Sequence, residues 1–415
     1  DVLLENLKDE KDRDWKAIEG CSVKNDDLST YVTPPRLRIQ DLNSMPSPYL
    51  NGLFDGLIED CPYVLEATLE TTRGCPYQCT FCEIGTKYYQ KIKWQELEKV
   101  FKEIDWMSEN KVEFVYNADS NFGLLPEHLE VTKYFVKKKT ETGYPAKHRC
   151  DWAKNKADKV FELAKLFTDS EMDKGITIAL QSRNPDVLKA IKRKNLDDGK
   201  LSEFLEMYNK GGVPAYVEII LGLPEETLES FIDGMCDVIE LEQHNYIGTY
   251  SMTALPNTPF GLKDYIEKYD LKIINTYTAF NHYDISEQND FERENMVVGS
   301  RTMTFEDYKN AHYFRWIVMS GHFLGLTQFI SRFYRTVYDV SYKSFYTKLL
   351  NYAYDHPESF LGKELKETIT SLEDTLDAKQ PWGRIIQDVK KNFAWDFEEA
   401  TAINVSKNKE VFYEE

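Results

Sequence analysis

Three cysteines, Cys75, Cys79 and Cys82, fall within eight residues in the segment T-T-R-G-C-P-Y-Q-C-T-F-C, a C-x3-C-x2-C array. The remaining four of the seven cysteines, Cys21, Cys61, Cys150 and Cys236, are scattered. Such uneven spacing in a chain of 415 residues does not suit a disulfide framework and points to metal in a reducing compartment. Three thiolates can hold three corners of a 4Fe-4S cube. The fourth iron then keeps an open position for a reactive ligand, for the reason a catalytic zinc keeps one. A zinc site or a set of buried thiols is the competing reading. Structural zinc wants a fourth Cys or His at short range, and the flanking candidates, Cys61 and His128, lie a full strand before the array and far beyond it.

An array of this kind needs elements to position it. From Tyr63 onward short β-rich runs alternate with helical patterns, as in repeated βα units around a parallel sheet. Six runs qualify as strands: 64–70, 112–117, 148–152, 176–181, 215–221 and 246–253. The clearest helical stretch is 94–109, where Leu97, Val100, Phe101, Ile104 and Met107 recur at helical spacing. Similar patterns cover 129–139, 159–167 and 228–241. The array directly follows the first strand. The stretch D-W-A-K-N puts Asp151, Trp152, Lys154 and Asn155 at the mouth of the third, where they can contact a ligand or cap the next helix. Cys150 precedes them on that strand, whose inward side chains are expected to face the barrel cavity. The other lone cysteines read as small buried hydrophobes.

Before the sheet, residues 1–62 read as a short charged helix and an extended linker rich in Pro, Asp, Asn and Ser. Residues 63–260 form the βα unit. Beyond about Phe260 a polar stretch, YDISEQNDFERENM, leads into long aromatic-rich helical segments, so residues 261–415 are expected to form a mostly helical domain. His312, Trp316 and His322 within it read as core residues. With 42% apolar residues the chain can bury a barrel-sized core and a second unit. Its 51 basic and 70 acidic residues give a formal charge of −19, which argues against a broad grip on nucleic-acid phosphates. No apolar run approaches the roughly 20 residues of a membrane helix, and no basic-then-apolar start resembles a signal peptide. The expected form is soluble and cytoplasmic.

The array, with Phe81 before its third cysteine and a βα series around it, resembles the radical S-adenosylmethionine (SAM) superfamily. The resemblance implies a partial (βα)6 barrel, in the α/β class, with a C-terminal mostly helical domain. It implies a 4Fe-4S cluster on Cys75, Cys79 and Cys82 whose free iron binds the amino and carboxylate groups of SAM. One electron, from a donor of flavodoxin or ferredoxin type, then cleaves the sulfonium to methionine and a 5′-deoxyadenosyl radical. Further positions carry over. In V-Y-N-A-D-S-N at the end of strand two, Asp119 and Asn121 are the polar candidates for the SAM amino group, and the family's glycine pair is missing. Gln181 and Ser182, closing strand four, resemble the ribose-contacting position. In the strand-five run from Tyr216 to Thr227, Glu218 stands in place of a glycine and Gly222 is the candidate for backbone contact with adenine.

A narrower resemblance covers most of the chain. The order P-S-P-Y-L-N-G-L-F-D, C-P-Y-Q-C-T-F-C-E-I-G, A-D-S-N-F-G, D-W-A-K-N, L-Q-S-R-N-P-D-V-L-K-A-I-K-R-K-N and I-L-G-L-P-E-E-T is similar to the cobalamin-associated radical SAM proteins. These usually carry an N-terminal Rossmann-like cobalamin domain, and they include methyltransferases of unactivated carbon or phosphorus. Here no D-x-H-x-x-G occurs, and the opening helix and linker resemble the tail of such a domain. The expectation is therefore a cobalamin domain upstream of Asp1 and methyl transfer to a small molecule. Direct use of the deoxyadenosyl radical for isomerisation, epimerisation or dehydrogenation is the alternative enzyme, and a non-catalytic metal-binding protein the alternative class.

Overall fold

The architecture comes from a computed structural model that describes residues 2–59, 61–154, 157–173, 175–277, 283–284, 292–387 and 392–415. Asn155 lies outside them. Contacts divide the chain into two compact units, residues 1–46 and 47–415. In the first, regular helix is confined to Val2–Asn6, and Ser22–Lys24 pairs antiparallel with Thr30–Val32. The opening charged stretch continues only as two short 3-10 helices, Glu10–Asp12 and Trp15–Ala17, in keeping with the marginal stability of a short helix without a packed face.

The second unit begins with the βα series. Strands β1 (Glu66–Leu69), β2 (Phe114–Phe122) and β3 (Lys147–Trp152) form one parallel ladder in that order. Strands β4 (Ile176–Gln181), β5 (Ala215–Leu221) and β6 (Tyr246–Ser251) form another. The six strands of the partial barrel are therefore two half-sheets, with a seam between β3 and β4. Helices α1 (Leu97–Glu109), α2 (Glu127–Thr142), α3 (Ala157–Asp169), α4 (Pro185–Ala190), α5 (Asp198–Gly211) and α6 (Leu228–Glu240) connect them. Helix α1 buries Val100, Ile104 and Met107 at positions i, i+4 and i+7, the one-sided stripe its sequence carries. Capping sets the ends: Gly143 and Gly212 close α2 and α5 in the left-handed conformation, and Thr227 opens α6 with a capping box to Ser230.

Strand β2 runs past the expected Asn117 to Phe122 and takes in A-D-S-N. On β3 the expectation for Cys150 is overturned. Burial alternates, with His148, Cys150 and Trp152 buried and Lys147, Arg149 and Asp151 exposed. The His148 ring stacks on Phe167 of α3, so the buried set faces the helices, and Arg149 and Asp151 line the barrel lumen instead.

After β6 the chain is not purely helical. Strand β7 (Lys272–Tyr277) pairs antiparallel with β8 (Arg293–Gly299), which bridges to the end of β6 through Thr253 and Met296. Most of the polar stretch between them lies outside the described residues. Helices α7 (Phe305–Val318), α8 (Gln328–Tyr338), α9 (Tyr342–Asp355), α10 (Phe360–Leu376) and α11 (Phe397–Lys407) follow. Helices α7, α9, α10 and α11 share one apolar core with the sheet, and Trp316 is wholly buried in it, its indole N–H on Thr401. His312 and His322 are buried as well, the latter against Tyr346.

Candidate active site at the cysteine loop

The loop after β1 carries the three thiols. Its stem is a short antiparallel clip, Thr72–Arg73 on Lys93–Trp94. Inside the stem the Cys75 amide donates to the Tyr89 carbonyl at 2.8 Å, and the Cys82 amide to that of Cys79 at 3.2 Å. Gly85 is required here: a Cβ would stand 2.5 Å from the Cys79 carbonyl oxygen. Cys75 and Cys79 are buried and Cys82 is half-buried, and all three are free thiols.

Polar groups from three strands converge on this loop. Asp119 of β2 is fully buried, and one of its oxygens accepts the backbone N–H of both Thr71 and Thr72 at 2.7 Å. The other oxygen takes the Thr71 hydroxyl and stands 3.3 Å from Nε2 of His128. Asp119 thus fastens the entry to the cysteine loop. Asn121, two residues on, donates from Nδ2 to the Cys75 sulfur at 3.2 Å and leaves its Oδ1 buried without a partner. Phe81 packs with Val187, Ile191, Leu223 and Phe260, which seats the loop on α4 and the turn after β5.

Gln181 and Ser182 end β4 at the same end of the sheet, both buried, Gln181 with a left-handed φ of 69°. The Ser182 hydroxyl donates to Glu226 at 2.6 Å, and the Ser230 hydroxyl bonds the other oxygen of the same carboxylate. Burial raises the Glu226 pKa against those hydrogen bonds. Gly222, φ 98°, presses the end of β5 so close to the Val297 carbonyl that a Cβ would lie 2.6 Å from its oxygen. Glu218 projects on the lumen side with Arg149, Asp151 and Tyr250. Its carboxyl is held above the ordinary range by burial and by Asp151, opposed by Lys154, Arg149 and Arg193.

Sequence reasoning passed over Arg193, Asn195 and Glu226. Arg193 bonds the Ala179 carbonyl and reaches the Cys79 sulfur at 3.9 Å. Asn195 donates to the carbonyls of Leu180 and Ser182, both at 2.9 Å. Together they tie the end of β4 to the cysteine loop. Their signal was the K-R-K-N stretch, quoted in the sequence only as part of a longer pattern. Lys154 joins Arg193 beside the thiols. Burial and the neighbouring Arg193 lower its pKa, while Cys79, Cys75 and Cys82 pull the other way.

The donor set fits a cluster held by three thiolates. One sulfur receives an amide N–H, and two half-buried cations offset thiolate charge. Residues 69–235 match the Radical SAM superfamily. This chain carries a radical SAM domain. It is 32% identical over 367 residues to the 2-(S-pantetheinyl)-carbapenam-3-carboxylate methyltransferase of Streptantibioticus cattleyicolor, covering 87% of this chain and 53% of that protein. The same figures hold for the cobalamin-dependent radical SAM methyltransferase TokK of Streptomyces tokunonensis. The chain thus spans about half the length of these curated relatives. The solved structure of the cobalamin-dependent SAM radical enzyme OxsB, with aqua-cobalamin and SAM bound, shares the fold. Its TM-score is 0.50 at 14% identity, covering 91% of this chain and 56% of that one. Among the described residues no helix is long and apolar enough to cross a membrane.

Proposed function

We propose that this chain is the catalytic portion of a cobalamin-associated radical SAM methyltransferase acting on a small molecule. The observation that carries the reading is the 32% identity to two methyltransferases over 87% of the chain. That likeness runs well beyond the matched radical SAM domain and takes in the helices that pack on the sheet. In this reading Cys75, Cys79 and Cys82 ligate a 4Fe-4S cluster, which supplies the electron that cleaves SAM. Asp119 and Phe81 hold the loop that presents the thiols. Asn121 keeps its free acceptor for the SAM amino group, and Gln181 and Ser182 meet the ribose, Ser182 oriented by Glu226. Gly222 leaves the backbone bare for the adenine edge. Glu218, Arg149 and Asp151 give the lumen a polar wall against which the methyl acceptor is oriented. Cobalamin serves as methyl carrier, the electron donor is a reduced flavodoxin or ferredoxin, and the setting is the cytoplasm.

The test is anaerobic reconstitution, with iron and sulfide, of a product that includes the expected upstream cobalamin domain, followed by reduction and incubation with methyl-labelled SAM and reduced cobalamin. Label on cobalamin and 5′-deoxyadenosine in the presence of acceptor are the expected products, and Cys79→Ala should lose both along with its iron. Retention of cluster and turnover by Cys79→Ala would overturn the cluster assignment. Deoxyadenosine formed with no label on cobalamin would overturn the methyltransferase reading alone. Gln181→Ala should weaken SAM binding about fivefold, the worth of one hydrogen bond, with an unchanged cluster spectrum. Equal SAM affinity would remove Gln181 from the site.

A further inference from the structure

A second group of metal-ligating side chains lies away from the cysteine loop, in the seam between the half-sheets. We propose that His148, Cys150 and Asp173 form a binding site for a divalent cation, and that zinc is the ion its nitrogen, sulfur and oxygen donors suit. One donor atom from each side chain lies within 4.8 Å of the others. A tetrahedral zinc with bonds of roughly 2.0–2.3 Å brings its ligands to about 3.5 Å from one another, so closure needs movements of about one ångström.

The decisive side chain is His148. It is 2% exposed, and both of its ring nitrogens are buried with no hydrogen-bond partner. Its faces are occupied, by Phe167 in a stack at 4.2 Å and by Phe135 at 5.1 Å, so rotation toward solvent is blocked. Buried polar nitrogens left unpaired cost of the order of 1–3 kcal/mol each, and a bound ion relieves that cost at one of them. Burial lowers the His148 pKa to about 3, which leaves the ring neutral, the form that ligates metal.

Electrostatics around the sulfur point the same way. Burial raises the Cys150 thiol pKa well above its usual value, and Asp173, Asp151 and Asp119 add to the rise against Arg149 alone. A place hostile to a bare thiolate and rich in carboxylates favours a cation. One thiolate and one carboxylate would balance a divalent ion, giving a neutral complex in a low-dielectric site. All three residues line a cavity of 630 Å³, with Arg149, Thr177 and Tyr216 among its other walls, so an approach path and room for a water as fourth ligand are present.

The placement has a mechanical meaning. His148 and Cys150 belong to β3, whereas Asp173 belongs to the segment that leads into β4. The two strands lie in separate ladders, and at the start of β3 the His148 amide bonds the Met172 carbonyl at 2.8 Å. A bound ion would therefore staple the half-sheets together where hydrogen bonding between them stops.

The measurement is zinc K-edge X-ray absorption on the iron-reconstituted 415-residue chain after one equivalent of zinc and gel filtration. The expected first shell is one sulfur near 2.3 Å with nitrogen and oxygen at about 2.0–2.2 Å, and Cys150→Ser should lose the sulfur. An all-sulfur shell, a sulfur that persists in Cys150→Ser, or no retained zinc would overturn the proposal. Should Cys150→Ser fail to fold, Asp173→Asn at the half-buried edge decides. It should weaken zinc binding on the order of tenfold or more, and an unchanged affinity would equally overturn the site.

Discussion

Each half-sheet places one buried carboxylate at the end that carries the site, and the two are used in different ways. Asp119, from the β1–β2–β3 half, accepts two backbone N–H groups and a hydroxyl from Thr71 and Thr72. Glu226, just beyond β5 in the other half, accepts from the hydroxyls of Ser182 and Ser230. Backbone donors are fixed in direction and cannot find another partner without moving the chain. Hydroxyls rotate and serve an acid or an amide equally well. The carboxylate that binds amides therefore dictates where a loop runs, whereas the one that binds hydroxyls gathers side chains already in place.

The strongest way to break this contrast is Asp119→Ala. It removes both oxygens and leaves the Thr71 and Thr72 N–H groups buried without their acceptor. The expected cost is about 3 kcal/mol in denaturant unfolding, with loss of iron uptake by the cysteine loop. Wild-type stability and iron content would erase the distinction. Thr71→Val removes the hydroxyl and spares both amides, so it should cost only about 1.5 kcal/mol and leave iron uptake intact. A loss of iron there would assign the fastening to the hydroxyl rather than to the backbone.

Glu226→Gln should have the smallest effect, within about 1 kcal/mol, and its value lies in its pH dependence. The folded-state pKa of Glu226 is raised above its reference of 4.5, so the folded chain holds that proton more tightly than the unfolded chain. Its stabilising contribution is complete below that reference and is lost as pH rises through the folded value. The wild type should therefore fall in stability relative to Glu226→Gln as pH climbs from about 4.5 toward neutrality. A pH-independent difference would mean that the carboxylate is ionised without penalty.

Much of this was legible in the chain itself. The cysteine spacing and the alternation of β-rich and helical runs announced the loop and all six strands. What periodicity could not convey was which face of a strand looks inward, because a parallel sheet is covered on both sides. Cys150 was assigned to the lumen for that reason, although the charges at Arg149 and Asp151 marked the lumen side. Arg193 and Glu226 were missed because their importance comes from partners far along the chain, Cys79 in one case and Ser182 in the other. The β7–β8 pair escaped notice because a long polar stretch separates its strands, leaving no hairpin signal between them.

The clip of Thr72–Arg73 on Lys93–Trp94 has a bearing on repair. It joins the ends of a segment of about 20 residues, whose closure costs on the order of 3 kcal/mol in chain entropy. That cost is met by protein groups alone: the clip, the Asp119 carboxylate and the Cys75 amide on Tyr89. Under the proposed assignment of the three thiols, an oxygen-damaged cluster is lost and rebuilt within a folded protein, its ligands waiting at their stations between one cluster and the next.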